Sequence, residues 1–301
     1  MPEKTPERDA TQDSNAESES RSAPAAAKNV EYPTEALLES ARDLDRRSVG
    51  EVLRLIHEED GKAHAAVGLV LPQIEEAVEV LATVIAGGGR WFNVGAGTSG
   101  RLGVLDASEL LPTFGLNPRS VQGVIAGGDR ALRHPVEGAE DDPRAAIFEL
   151  QERGLELGDA VVAISASGRT PFALGALEAA HKVGARTIAI TCDPRSALAE
   201  AAEISIAPLV GPEVLAGSTR MKGGLAQKMV LAALSTAVMV KLGKVRGNLM
   251  THVTPVSSKL RGRAVRILMS LAKVDKAEAR RLLRETDGSV EAALRLLERK
   301  R

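Results

Sequence analysis

Between Arg90 and Pro208, short apolar runs alternate with helix-like stretches, and this alternation constrains the fold more than any other feature of the chain. The runs are Trp91 to Val94, Val121 to Ala126, Ala160 to Ile164, Thr187 to Thr191 and Ile204 to Ala207. They are mostly continuous rather than alternating, as strands buried on both faces are, and the chain between them is helix-like. The pattern predicts an α/β fold of three layers, a parallel sheet flanked by helices.

Helices are expected on either side of the sheet. From Thr34 to about Ala86 the pattern is helical, and Ser48 to Glu51 is spaced like a capping box ahead of Val52, Leu53, Leu55 and Ile56. After the sheet, long helices are expected from about Gly223 to Leu242 and from about Ser257 to Leu271. The C-terminal stretch, with Leu282, Leu283, Val290, Ala293, Leu294 and Leu297 among charges, reads as two short amphipathic helices separated by Gly288. The organisation read from this is a disordered tail over 1–30, N-terminal helices over 31–88, the sheet domain over 89–250 and a small C-terminal helical region over 251–301.

The tail assignment rests on charged residues among Ser, Ala and Pro, with no apolar run that could form a signal-peptide core. No later stretch supplies 18 or more uninterrupted apolar residues; the nearest, after Gly224, is broken by Gln227, Lys228 and Ser235. No membrane partner is expected. Lys and Arg total 39 against 40 for Asp and Glu, which leaves no basic excess to hold nucleic acid. The single cysteine, Cys192, excludes an internal disulfide and suits a reducing compartment, so a cytoplasmic location is expected.

Two hydroxyl-rich turns stand out. Gly95-Ala96-Gly97-Thr98-Ser99-Gly100-Arg101 follows one apolar run, and Ser165-Ala166-Ser167-Gly168-Arg169-Thr170 follows another; each leads into a helical stretch. Small residues at the mouth of a helix let unpaired N–H groups and the positive end of the dipole face an anion. Hydroxyls add neutral donors to phosphate oxygens. The candidate phosphate-binding residues are therefore Gly97, Thr98, Ser99, Ser165, Ser167, Gly168 and Thr170. The competing reading is that the Ser and Thr residues are ordinary helix N-caps. Gly95, Gly97 and Gly100 also satisfy G-x-G-x-x-G, but a dinucleotide site wants an acidic residue at the end of the next strand, and Val121 to Gly128 contains none.

The string S-A-S-G-R-T at 165–170 resembles the sugar-phosphate loop of sugar isomerase (SIS) domains. Three longer blocks narrow the likeness: GAGTSGRLGVLDASE (Gly95 to Glu109), HPVEGAEDD (His134 to Asp142) and EVLAGSTRMKGGLAQK (Glu213 to Lys228). Together they resemble the N-acetylmuramic acid 6-phosphate etherases, from about Thr34 to the C-terminus. The resemblance implies an SIS-type fold, cleavage of the D-lactyl ether of N-acetylmuramic acid 6-phosphate to N-acetylglucosamine 6-phosphate and D-lactate, and no cofactor. It also implies two catalytic glutamates, matching Glu109 and Glu140.

The reaction itself calls for two carboxyl groups. Opening the sugar to its aldehyde acidifies the C2 proton, which one carboxylate removes while a carboxylic acid protonates the departing oxygen at C3. Water then adds at C3 with the proton roles reversed. Glu109 is assigned as proton donor and Glu140 as partner base. On an unbroken helix, Glu109 lies roughly 15 Å, about ten residues, from the anion site at Ser99. Either that helix breaks early, at Gly103, or Glu109 serves a phosphate bound by a second subunit; a homodimer with shared active sites is expected, as the resemblance also suggests.

Other residues read more plainly. The histidines show no metal-ligand spacing, so no metal is expected. His134 and His252 read as solvent or capping residues, and Met221 as core. Lys222 and Arg220, at a helix start, suggest an anionic ligand and a surface ion pair equally. The chain departs from the etherase pattern at Leu38 and Ala41, where polar residues are usual, at Leu110-Leu111-Pro112 in place of C-P-P, and at Leu225 in place of threonine. The rival functions are an SIS regulator that senses a sugar phosphate without catalysis, as the glucokinase regulatory protein does, and an aldose–ketose isomerase.

Overall fold

A computed structural model describes residues 32–299, so the expected tail over 1–30 lies outside the described residues. Two single turns of 3-10 helix, Glu39–Ala41 and Leu44–Arg46, precede α1 (Val49–Leu69) and α2 (Leu71–Ala86). The α/β part runs β1 (Trp91–Gly95), α3 (Gly97–Phe114), β2 (Val121–Ile125), α4 (Gly128–Ala131), a 3-10 turn at Ala139–Asp141, α5 (Pro143–Glu152), β3 (Ala160–Ile164), α6 (Pro171–Val183), β4 (Arg186–Ile190), α7 (Ala197–Ala201) and β5 (Ile204–Ile206). The long α8 (Lys222–Lys241), a hairpin of β6 (Val245–Arg246) and β7 (Leu249–Met250), and α9 (Ser258–Ala272), α10 (Lys276–Glu285) and α11 (Val290–Glu298) complete it.

Helix entry follows sequence chemistry closely. Ser48 and Glu51 form the expected capping box at α1, the Ser48 side chain and the Glu51 carboxylate each bonding the other's backbone N–H. Upstream, Thr34 to Arg47 does not continue as α-helix, contrary to expectation. That stretch is largely exposed and held by local pairs, Arg42 with Glu39 and Arg47 with Asp43, so no apolar stripe carries it beyond single turns. The β6–β7 hairpin around Gly247 and Asn248 is an element the apolar pattern did not signal.

All five strands of the main sheet are parallel, in the order β2-β1-β3-β4-β5. Alternate residues feed two cores, as a pleat requires. Trp91, Val162, Ile164, Ile188, Ile190 and Ile206 join α1, α2, α8 and the far end of α3. Phe92, Val94, Val161, Ala163 and Ala189 join α5, α6 and α7. Three layers result, as expected, and both N-terminal α-helices belong to the central core. α9, α10 and α11 bury a separate apolar cluster among themselves.

Among the described residues, α8 is the one helix long and apolar enough to cross a bilayer, but it is mostly buried here. It packs on α1, α2 and α3. It is joined to α1 by charge as well: Lys222 Nζ bonds the Glu59 carboxylate, both residues are almost fully buried, and Lys62 Nζ lies 2.6 Å from the other Glu59 oxygen. Burial works against the ionised Glu59, but the bonds from Lys222 and Lys62 more than offset it and hold the carboxyl below its ordinary value. Lys222 is thus neither a ligand for a bound anion nor a surface ion pair; the core claims it. Removing one partner strands the other charge in the interior. Lys222→Ala should cost about 3–5 kcal/mol in urea-induced unfolding, and the double variant Glu59→Leu/Lys222→Leu should recover most of that loss.

Candidate functional site

The strands β1 and β3 are neighbours in register, Gly95 beside Ile164, and they diverge immediately afterwards. β1 continues through α3 to β2 on one side, and β3 through α6 to β4 on the other. α3 ends in the core that also holds α8, and α6 in the opposite one. The chain therefore opens a crevice at the carboxyl ends of the two central strands, where ligands of open parallel sheets bind. Both hydroxyl-rich turns lie at this crevice.

The first turn is set by close packing. A side chain at Gly100 would place its Cβ 2.5 Å from the Gly95 carbonyl oxygen, and one at Gly103 would come 3.0 Å from Asn93 Cβ. The glycine spacing that resembles a dinucleotide fingerprint thus serves to seat α3 on β1. Asn93, buried in β1, accepts from Trp91 Nε1 at 2.6 Å and donates to the Gly103 carbonyl at 3.2 Å, fixing the helix from below. Gly97 is exposed and Thr98 half-buried at the mouth, whereas Ser99 turns inward and donates its hydroxyl to Gln227 Oε1 of α8 at 2.9 Å. Of the three residues expected to face a phosphate here, Ser99 thus has its hydroxyl engaged by α8.

The second turn folds around its own hydroxyls. Ser165 Oγ lies 2.8 Å from Thr170 Oγ1 and accepts from the Gly168 N–H at 3.1 Å, and Ser167 Oγ accepts from the Arg169 N–H at 3.3 Å. Gly168 has φ +66°, and a Cβ there would also strike Ser196, so no other residue fits. Arg169 pairs with the buried Asp193 at 3.0 Å, and its guanidinium lies over the ring of Tyr32, bringing the N-terminal segment to the rim.

Side-chain capping differs among the helices, and α2 and α4 also begin without it. α1, α5, α7, α9, α10 and α11 each begin with a Ser or Asp side chain bonded to a first-turn N–H. α3 and α6 do not: neither Ala96 nor Thr170 makes a side-chain cap, and neither helix has an acid in its first turn. The Ser and Thr residues of these turns thus do not serve as side-chain N-caps of α3 and α6, and the first-turn N–H groups of both helices lack a side-chain partner among the described residues.

The two glutamates stand elsewhere. Glu109 is exposed on α3, which runs unbroken from Gly97 to Phe114, so the early break at Gly103 does not occur. It lies roughly 15 Å along the axis from the turn that opens the helix. Glu140 is exposed on the 3-10 turn Ala139–Asp141, which follows β2 and packs on α6. Among the described residues neither carboxylate has a hydrogen-bond or ion-pair partner. The structure thus brings the two turns together but leaves Glu109 away from them within one chain.

Sequence reasoning passed over three buried residues. Glu213 and Gln227 lie inside a block of the chain already singled out, but without an assigned role. Asp106, one turn before Glu109, is buried between α3 and α8; it accepts from Ser235 at 3.0 Å, and its second oxygen has no partner. Burial, with a smaller push from Glu109, lifts its carboxyl to about 6 against the bond from Ser235 and the charge of Lys228. His252 touches the Lys244 carbonyl and Thr251, and burial, reinforced by Lys244, holds it below its ordinary value, in keeping with a structural role. Leu38 and Ala41, where the chain departs from the etherase pattern, line a groove of about 630 Å³ with Glu213 and Leu215. Among the described residues no three His, Cys, Asp or Glu side chains cluster as a metal would need.

Because the folded state favours the protonated Asp106, its contribution to stability is present below about pH 4 and is lost as pH rises through about 6. Asp106→Asn keeps the oxygen that bonds Ser235. It should raise stability at pH 7–8 by about 1–3 kcal/mol and flatten the pH 4–6 dependence in chemical denaturation.

Comparison with known proteins adds to this geometry. Residues 73–181 match the glucokinase regulatory protein N-terminal SIS domain, and residues 153–237 match the SIS domain. The chain is 50% identical over 261 residues, 87% of each chain, to the N-acetylmuramic acid 6-phosphate etherase of Symbiobacterium thermophilum. It is also 50% identical over 255 residues to that of Yersinia pestis, covering 85% of this chain and 86% of the relative. Among solved structures, a ligand-bound protein of E. coli CFT073 superposes with a TM-score of 0.50 at 20% identity, covering 67% of this chain and 97% of its own, which bears on the fold alone.

Proposed function

Because the chain belongs to the N-acetylmuramic acid 6-phosphate etherases, we propose that the crevice between α3 and α6 holds the sugar phosphate while Glu109 and Glu140 carry the proton transfers. The protein is a carbon–oxygen lyase. It cleaves the D-lactyl ether of N-acetylmuramic acid 6-phosphate, and elimination followed by hydration yields N-acetylglucosamine 6-phosphate and D-lactate. The observation that carries the site is the pair of uncapped helix N-termini at adjacent strand ends, with a hydroxyl-rich turn at each. Gly97, Thr98 and the Ser99 backbone face the anion from α3; Ser165, Ser167, Gly168 and Thr170 do so from α6.

In the open-chain form, the aldehyde acidifies C2. Glu140, on a turn packed against α6, takes that proton, and Glu109 delivers its proton to the leaving oxygen as the C3–O bond breaks. D-lactate departs and leaves a C2–C3 double bond conjugated to the aldehyde. Water then adds to C3: Glu109, now a carboxylate, takes the water's proton, and Glu140 returns one to C2. An SIS regulator needs no such pair, and the presence of both carboxylates, open to solvent, favours the enzyme.

The distance from Glu109 to the turns of its own chain supports a homodimer in which one protomer's Glu109 serves its partner's crevice. Leu105, one turn before Glu109 on the same side of α3, is 45% exposed, an apolar side chain suited to a second copy. A cytoplasmic setting fits Cys192, a buried thiol pushed up to about 12 by burial and the Glu213 charge, which needs no oxidising partner.

Purified protein should release D-lactate from N-acetylmuramic acid 6-phosphate, and Glu109→Gln and Glu140→Gln should each lower kcat by about 10²-fold or more with the fold intact by circular dichroism. Light scattering should give a dimer. Mixing Glu109→Gln with Ser167→Ala protomers should restore activity above that of either alone, and a fully active monomer would refute the shared site.

A further inference from the structure

The start of α8 reaches both turns of the crevice and is itself clamped from outside. Glu213, only 1% exposed, accepts from the Lys222 N–H at 3.0 Å and the Gly223 N–H at 2.9 Å. One carboxylate thereby occupies the donors at this helix end and offsets its dipole. The Lys222 ammonium is drawn away to Glu59. α8 thus offers no competing anion cradle, although its first turn adjoins those that do.

The contacts are close and lie on both sides. A Cβ at Gly224 would stand 3.3 Å from Thr98 Cγ2, against the first turn, and one at Gly223 would stand 3.3 Å from Ala166 Cβ, against the second. One helical turn later Gln227, fully buried, holds the Ser99 hydroxyl. The Gly224 N–H returns to the Thr219 carbonyl at 2.8 Å, which ties the preceding loop to the same point. The beginnings of α3 and α6 leave toward opposite faces of the sheet, and α8 touches the turn in front of each.

We infer that the first turn of α8, clamped by Glu213, sets the separation of the two phosphate-binding turns, so that Glu213 and Gly224 are positioning residues for the sugar phosphate. This rests on the reading that the two turns hold the substrate's phosphorylated end. Neither residue contacts the reacting atoms. Their effect is on how well α3 and α6 converge on one anion, which is binding shared by ground state and transition state and therefore shows in KM rather than kcat. Gly224 is the sharper probe, because alanine inside a helix favours the helix while its methyl group presses on Thr98.

The test measures kcat and KM for N-acetylmuramic acid 6-phosphate, by D-lactate release, together with Tm, on the full chain carrying Gly224→Ala or Glu213→Gln. Gly224→Ala should raise KM about tenfold with kcat within about twofold of wild type and Tm no lower. Glu213→Gln should raise KM similarly and lower Tm, since an amide N–H₂ must then face one backbone donor. A Gly224→Ala protein with wild-type KM, or one whose loss falls on kcat alone, overturns the inference whether or not Glu213→Gln folds. If wild type releases no lactate, the etherase reading fails separately. Calorimetric affinities of wild type and Gly224→Ala for the same sugar phosphate then decide the positioning role, equal values overturning it.

Discussion

Parallel pairing of β1 with β3 is the constraint on which the rest of this molecule depends. Their register sets Gly95 level with Ile164, so both strands end at the same height, and the chain then departs to opposite sides of the sheet. Two helices begin within a few residues of that level with their N–H groups turned toward one crevice. Shifting the register by a single residue would exchange the faces to which Trp91, Phe92 and their neighbours point and would separate the helix ends. The anchors at the other end of the strands belong to the same device: Asp159 accepts from the Arg90 N–H at 2.7 Å and from its guanidinium at 2.6 Å, locking β1 to the entry of β3.

What the helices leave uncapped is as informative as what they cap. Six helices elsewhere in the chain spend a Ser or Asp side chain on their first turn, and α8 is served by Glu213 from a preceding loop. α3 and α6 lack such a cap, as α2 and α4 do, but their turns are rich in hydroxyls that are turned to one another or to α8. Donors withheld from their own helix in this way suit a ligand that brings its own negative charge, and a phosphorylated sugar is such a ligand.

Burial of charge organises the other side of the sheet. Glu59, Lys222, Glu213 and Asp106 all lie inside the layer formed by α1, α3 and α8, where unpaired charges would be costly. Glu59 and Lys222 neutralise each other, Glu213 is met by two backbone N–H groups, and Asp106 is met only in part and so holds its proton to about pH 6. At the Glu213 end, the first turn of α8 adjoins both hydroxyl-rich turns.

Strand positions, helix starts such as Ser48 and Ser257, and both hydroxyl-rich turns were legible in the sequence because each depends on residues close along the chain: unbroken apolar runs, a capping residue and the apolar stripe after it, small residues at a helix mouth. Glu109 and Glu140 were singled out only through resemblance, since an exposed carboxylate carries no local signature. Other features came from contacts between distant segments. That Lys222 pairs with Glu59, that Ser99 turns to Gln227, that Glu213 caps α8 and that α3 continues unbroken through Gly103 are consequences of which segment lies against which. Periodicity along a chain says which face of an element is buried. It does not say what that face meets, and only the tertiary packing decided that.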